Sequence, residues 1–370
     1  VGPNEAGARS TVMASADFVT PYINAIGTAV PSHDIHAAFI GWARERLPIA
    51  QRKLFDRMAA RAAIGHRWSV LPEDAGSPVG DTGFYADTPH PGTAARMSLY
   101  AQAAPELALS AIERLRDQVP IDDATHLVVA SCTGFVAPGI DQIIARQLSL
   151  SPAIERTLIG FMGCYAAVAA LRTARHIVRS DPAARVLVVT VELSTLHLQA
   201  VDEIEPLLAM LQFGDGAAAA MVSAERRGLA IGQPFATTLA KSDRLIRWDI
   251  TDAGFAMHLS GEVPGRIAAA LADPVLVDAI TAGQDATSID GWAVHAGGRS
   301  ILDAVEHGLS LDADALDDSR AVLVDNGNMS SATLMFVLAR VLARSDVRRG
   351  VALAFGPGLA AEGFAFGPSA

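Results

Sequence analysis

Short apolar runs alternate with longer alanine- and leucine-rich segments of helical period, and this alternation constrains the fold of the 370-residue chain more than any other feature. THLVVA (125–130), TLIG (157–160), RVLVVTV (185–191), GAAAAMV (216–222), GWAVH (291–295), AVLVD (321–325) and VALAF (351–355) read as strands. They are too uniformly apolar for a sheet with one wet face, so helices must cover both sides. The spacing predicts those helices over 51–63, 105–118, 139–148, 165–179, 201–211, 300–308 and 331–344. The chain also repeats itself weakly. At one constant offset Ser131 falls on His295, Cys164 on Asn328 and Arg185 on Arg349, each next to an apolar run. Two copies of one strand–helix plan are expected, with a polar seam at 223–251. In such an arrangement Cys164, His295 and Asn328 meet where the halves face each other.

Composition removes several function classes. Lys plus Arg total 29 against 40 Asp plus Glu, a formal net charge of −11, so a general nucleic-acid surface is excluded. A local basic patch for an anionic ligand is not. Hydrophobic residues at 51% with 19% charged residues fit a packed globular protein. The two cysteines, Cys132 and Cys164, cannot form a disulfide framework and point to a reducing, cytoplasmic setting. No apolar run is long enough to span a bilayer, and no secretory leader is read at the start.

Cys164 lies in Gly163-Cys164-Tyr165, between an apolar run and an alanine-rich helix. The unpaired N–H groups at a helix start favour thiolate, so a lowered pKa and a nucleophilic role are expected. The competing reading is a buried structural cysteine. His295 ends GWAVH and precedes Gly297-Gly298, where a histidine can exchange a proton near neutral pH; alternatively it is a satisfied strand-end residue. Asn328, in Asp325-Asn326-Gly327-Asn328-Met329-Ser330-Ser331, either polarises a carbonyl or caps the following helix. The paired offsets favour the catalytic reading for all three.

The motifs SCTGFVAPG, GFMGCYAAVAALR, LQFGDGAAAA, VHAGGRSILDAVE, DNGNMSSAT and AFGPGLAAEG, in this order, resemble the signatures of the type III polyketide synthases. These are the chalcone-synthase-like branch of the thiolase superfamily, and the bacterial members are the more similar. The resemblance runs from about Tyr22 to the C-terminus and implies a thiolase-like α/β fold. That fold has two pseudo-equivalent αβαβα halves in five layers. An N-terminal extension (1–20, read as disordered) would precede a nucleophile-bearing half (21–223) and a half with His and Asn (224–370).

The resemblance further implies that Cys164 takes a starter acyl group from coenzyme A, and that His295 and Asn328 assist malonyl decarboxylation and hold the reacting oxygens. Phe213 matches the gatekeeper between coenzyme A tunnel and reaction cavity, and Gly356-Pro357-Gly358 the loop that scaffolds the cavity. Arg57 and Arg61 match basic coenzyme A contacts. The third such position falls on Leu54 beside Lys53, and the helix start at Ser300 adds N–H groups. Pocket departures from the plant pattern are Cys132, Ser194 and His197 at threonine positions, Trp248 at a glycine and Met257 at the second gatekeeper phenylalanine. Ser330 belongs to the same pocket, and Ala137 replaces a methionine that reaches across the plant dimer. Trp248 fills one wall, while Met257 and Ala137 would open space for an aliphatic starter.

The expected enzyme is a homodimeric acyltransferase. It condenses malonyl-CoA iteratively onto an acyl-CoA starter and cyclises the chain to a pyrone or alkylresorcinol. It needs no permanent cofactor, metal, nucleic acid or membrane span. The alternative is a ketoacyl-synthase-III-like enzyme that makes one condensation onto acyl carrier protein. A carrier scaffold without catalysis and a cysteine hydrolase fit less well, because the triad is complete and its context is that of a condensing enzyme.

Overall fold

A computed structural model describes residues 19–71, 79, 83–86 and 89–369, so most of the 1–20 extension lies outside the described residues. The strands are β1 (Tyr22–Ala29), β2 (His33–Asp34), β3 (Trp68–Ser69), β4 (His126–Ser131), β5 (Glu155–Gly160), β6 (Val186–Leu193) and β7 (Asp215–Ser223). They continue with β8 (Leu229–Thr238), β9 (Ile246–Thr251), β10 (Gly254–Leu259), β11 (Gly291–Val294), β12 (Gly350–Gly356) and β13 (Ala360–Pro368). Nine of them form one sheet in the order β11-β12-β13-β8-β1-β7-β6-β4-β5.

Read outward from its centre, that order is the same sequence of pairings twice. β1 and β8 meet antiparallel. Each then takes an antiparallel neighbour, β7 or β13. Each neighbour pairs antiparallel with β6 or β12, which in turn pairs parallel with β4 or β11. The strands after which Ser131 and His295 fall thus occupy matching places, as do those that follow Arg185 and Arg349.

The layers follow from side-chain alternation. Along β4, Leu127 and Val129 join an outer apolar cluster while Val128 and Ala130 join a central one. Along β12, Val351 and Leu353 face a third cluster and Ala352 and Ala354 the central one. Two nearly buried helices, Ala166–Ser180 and Ser331–Leu342, fill that central layer. Their alanines and those of β7 let the backbones approach closely. The outer helix Thr93–Arg116 packs as tightly on β1: a Cβ on Gly27 would lie 2.3 Å from the Leu115 nitrogen. The two halves of the one sheet thus enclose the central helices, with further helices outside each, which is the five-layered thiolase-like arrangement expected.

Three sequence expectations need correction. AVLVD is helix, not strand: it belongs to Asp317–Asn326, with Asp317 and Asp318 in the first turn and Gly327, at φ 67°, ending it. A five-residue apolar run does not distinguish the two states, and here Val322 and Leu323 are buried while Val324 is exposed. The helix expected to open at Pro105 starts at Thr93 and carries Pro105 inside. The seam at 223–251 is mostly strand, because β8 and β9 occupy it.

Candidate active site

Cys164, His295 and Asn328 are all buried, and Asn328 stands between the other two turns: its side chain hydrogen-bonds toward Cys164, and its Nδ2 donates to the carbonyl of Gly297, two residues after His295. Cys164 follows Gly163, whose φ of 79° makes the strand-to-helix turn. A Cβ on Gly163 would lie 2.3 Å from Cδ of Pro357, so this turn packs directly on the Gly356-Pro357-Gly358 loop. A Cβ on Gly356 would in turn crowd the Tyr165 ring at 2.6 Å. The Cys132 Sγ accepts from the Gly163 N–H at 2.9 Å, and the Ser330 hydroxyl lies 3.9 Å from the Cys164 sulfur.

Asn328 is held in one orientation. Its Oδ1 accepts from the Ser330 N–H at 2.8 Å, and its Nδ2 donates to the Gly297 carbonyl at 3.2 Å, which leaves the second amide hydrogen to donate elsewhere. Its backbone is laced to the Phe213 segment: Asn328 N–H donates to Gln212 O at 2.8 Å, and Gly214 N–H to Asn328 O at 3.0 Å. His295 has no hydrogen-bond partner on either ring nitrogen among the described residues. Burial depresses its pKa to about 3, so the imidazole is neutral and both nitrogens are free for substrate.

The expected thiolate is not the resting state. Burial pushes the Cys164 thiol up to about 12, opposed by hydrogen bonds from Ser330 and Asn328 and reinforced by the Glu192 carboxylate. The helix itself begins two residues later, at Ala166, and among the described residues no cation acts on the sulfur. Alkylation of Cys164 by iodoacetamide is therefore expected to rise about tenfold per pH unit through neutrality, without a plateau. A plateau below pH 7 would identify a preformed thiolate–imidazolium pair and overturn this.

Sequence reasoning missed Glu192. It is buried at the end of β6 and accepts from Cys132 N–H at 2.9 Å, from the Thr133 hydroxyl at 2.9 Å and from the Ser331 hydroxyl. Burial raises it to about 7. A lone carboxylate inside VLVVTVEL was the available signal.

Beside the triad lies a cavity of about 220 Å³ whose lining includes Phe213, Ser194, His197, Trp248 and Met257. Trp248 and Met257 face each other across the β9–β10 ladder. His197 closes the wall: its Nε2–H donates to Thr133 O at 2.7 Å, and its Nδ1 accepts from Phe255 N–H at 3.0 Å. Its ring stacks on Phe255 at 4.2 Å, and burial holds its pKa near 4. Phe255 was another residue the sequence did not single out. Cys132, Ser330, Gly356, Pro357 and Gly358 are not in the cavity lining; the contacts above put Cys132, Ser330, Gly356 and Pro357 around Cys164 or the Gly163 turn. Ala137 is exposed and opens no space in the cavity.

Lys53, Arg57 and Arg61 are exposed along one side of the helix Ile49–Arg61 and form no ion pair among the described residues. That helix packs on Ile204–Met210, whose Pro206 and Met210 line the cavity. Ser300 is exposed in the first turn of Arg299–Gly308. The described residues contain no cluster of metal-ligating side chains and no helix long and apolar enough to cross a membrane.

The family model for chalcone and stilbene synthases matches in both parts, its N-terminal domain over residues 9–226 and its C-terminal domain over 231–367. The chain is 35% identical over 285 residues to the alpha-pyrone synthesis polyketide synthase-like Pks18 of Mycobacterium tuberculosis, covering 73% of this chain and 72% of that protein. It is 34% identical over 300 residues to bisdemethoxycurcumin synthase of Oryza sativa subsp. japonica, covering 75% and 74%. The crystal structure of PKS-I from the brown alga Ectocarpus siliculosus superposes with a TM-score of 0.86 at 28% identity, covering 96% of this chain and 100% of that one.

Proposed function

The chain belongs to the chalcone and stilbene synthase family, the type III polyketide synthases, and from that premise we propose the roles of its residues and the size of its product. The family condenses coenzyme A thioesters. Cys164 Sγ attacks the starter thioester carbonyl while its proton passes to neutral His295, and the coenzyme A thiolate leaves with that proton. Malonyl-CoA then loses carbon dioxide. The enolate that forms has its oxygen held by the Asn328 N–H that otherwise faces the Cys164 sulfur and by His295, and its carbon attacks the acyl-Cys164 carbonyl. The sulfur leaves, the lengthened chain sits on coenzyme A, and reloading on Cys164 repeats the cycle. Neutral His295 and the high thiol pKa support a nucleophile activated by proton transfer only when substrate is present.

The observation that carries our reading of product size is the cavity of about 220 Å³ next to Phe213, smaller than the roughly 300–1,000 Å³ usual for ligand sites. It suits a short or medium acyl starter extended by few units and released as an α-pyrone, the product class in the name of the mycobacterial relative. Wild-type enzyme offered acetyl-, hexanoyl-, benzoyl- and palmitoyl-CoA with malonyl-CoA is expected to favour one of the smaller starters and yield pyrones. Trp248→Ala opens one wall and is expected to shift preference toward longer chains by about tenfold in kcat/KM. Palmitoyl-CoA as the best wild-type starter would sink the size argument.

Lys53, Arg57, Arg61 and Ser300 are assigned to the coenzyme A phosphates, supported by exposed unpaired cations beside a cavity-lining helix in a chain of net charge −11. The halves are assigned as 21–223 and 224–370, supported by the repeated pairing order. A homodimer through β5 is supported by its position at the sheet edge and by exposed Leu158 and Phe135.

A further inference from the structure

We propose that Arg67 is a positioning residue for the decarboxylation step: its guanidinium fixes the Gln212–Gly214 segment, and through it both Asn328 and the Phe213 ring.

Arg67 is 1% exposed, yet no carboxylate bonds its guanidinium among the described residues. Instead Nη1 donates to two carbonyls, Met210 O at 3.0 Å and Phe213 O at 2.9 Å. Nε donates to His36 Nδ1 at 3.0 Å, and the plane lies over the Phe39 ring at 4.4 Å. Met210 ends the helix Ile204–Met210, so the charge also faces the negative end of that helix. Burial lowers its pKa to about 9, which keeps it cationic at neutral pH.

The stem of Arg67 continues the same contact. A Cβ on Gly327 would lie 2.9 Å from Arg67 Cγ and 2.9 Å from Gln212 O, and a Cβ on Gly214 would lie 3.5 Å from Arg67 Cα. The glycines beside Asn328 and Phe213 are thus the places where the arginine fits. Asn328 hangs on this segment by Asn328 N–H to Gln212 O and Gly214 N–H to Asn328 O. Asp34 and Asp215 lie near enough to offset the cost of burying the cation without bonding its guanidinium. The cation holds in place, from outside the reacting atoms, the backbone that carries the amide donor.

Arg67→Lys keeps a positive charge and loses the planar fork. This inference rests on the proposed role of Asn328, so Asn328→Ala is measured beside it. Three rates are read: starter loading on Cys164 by intact mass, malonyl-CoA decarboxylation and pyrone formation. Arg67→Lys is expected to load within about twofold of wild type. Its kcat for decarboxylation and condensation should fall about tenfold to a hundredfold with little change in KM, the size of effect a small misplacement produces. Arg67→Ala should regain part of that loss with added guanidinium. Should Arg67→Lys fail to fold, His36→Leu strips only the acceptor from Nε and is expected to slow the same two steps. Decarboxylation that is unchanged, or that falls in parallel with loading, would overturn the role of Arg67. Decarboxylation intact in Asn328→Ala would overturn the reading on which it rests.

Discussion

Cys164→Ala is expected to lower polyketide formation by at least about a thousandfold while leaving the fold in place. The side chain loses one sulfur whose hydroxyl neighbour, Ser330, lies at 3.9 Å, so the stability change should stay near 1 kcal/mol. The loss is in chemistry, because no other thiol can take the starter: Cys132 is committed to the Gly163 backbone, and burial pushes its pKa well up. Incubation with a starter CoA followed by intact mass should show no acyl-enzyme. Slow release of acetyl-CoA from malonyl-CoA should persist, since His295 and Asn328 are untouched. Acylation of the variant at any residue, with product still formed, would remove Cys164 from its assigned place.

Gly163→Ala is expected to damage the site twice over, through its backbone and through its contact. Its φ of 79° costs a side-chain-bearing residue about 1–2 kcal/mol. The new Cβ would also meet Pro357 Cδ at 2.3 Å and Cγ at 2.5 Å. Proline cannot swing aside as a flexible chain end would, so either the Pro357 loop or the Cys164 turn must move. A loss of about 2–4 kcal/mol in denaturant unfolding is expected, with acyl loading nearly abolished. The neighbouring Gly358 has open space at its Cβ position, but its φ of 72° is unfavourable to alanine. Gly358→Ala should therefore cost only the backbone part and keep activity. Equal damage from both substitutions would show that conformational strain, not the contact with Pro357, sets the effect.

β4 and β11, which lead to Ser131 and His295, were legible because each is apolar on both faces; TLIG was expected to be covered too, yet β5 is largely exposed because it is the edge strand. The pairing of Cys164 with Asn328 was legible in the offset between the halves, even though one of its landmarks was misread. AVLVD looked like the partner of TLIG, yet β5 has no counterpart in the second half, where the helix Asp317–Asn326 stands. The offset still held because Cys164 and Asn328 each lie just before a central helix. What sequence could not show is environment. Cys164 looked activated by a helix start, and its burial dominates. Arg67 was not singled out by the sequence, and only the fold encloses it. The cavity wall is set by which residues oppose one another in a hairpin, Trp248 by Met257, and by His197 bridging two backbones.

The central pairing of the sheet also sets a timetable for biosynthesis. β1 finds its main partner only in β7, with Tyr22 opposite Ser223 and Ala29 opposite Ala217. At the usual ribosomal pace of about 5–20 residues per second, an apolar strand made near the start waits on the order of 10–40 s for its mate. Its second neighbour, β8, follows immediately, and the strands and helices bearing His295 and Asn328 later still. The nascent chain must therefore shelter an aggregation-prone edge until β7 is made, and the catalytic centre stays incomplete until Asn328 has followed.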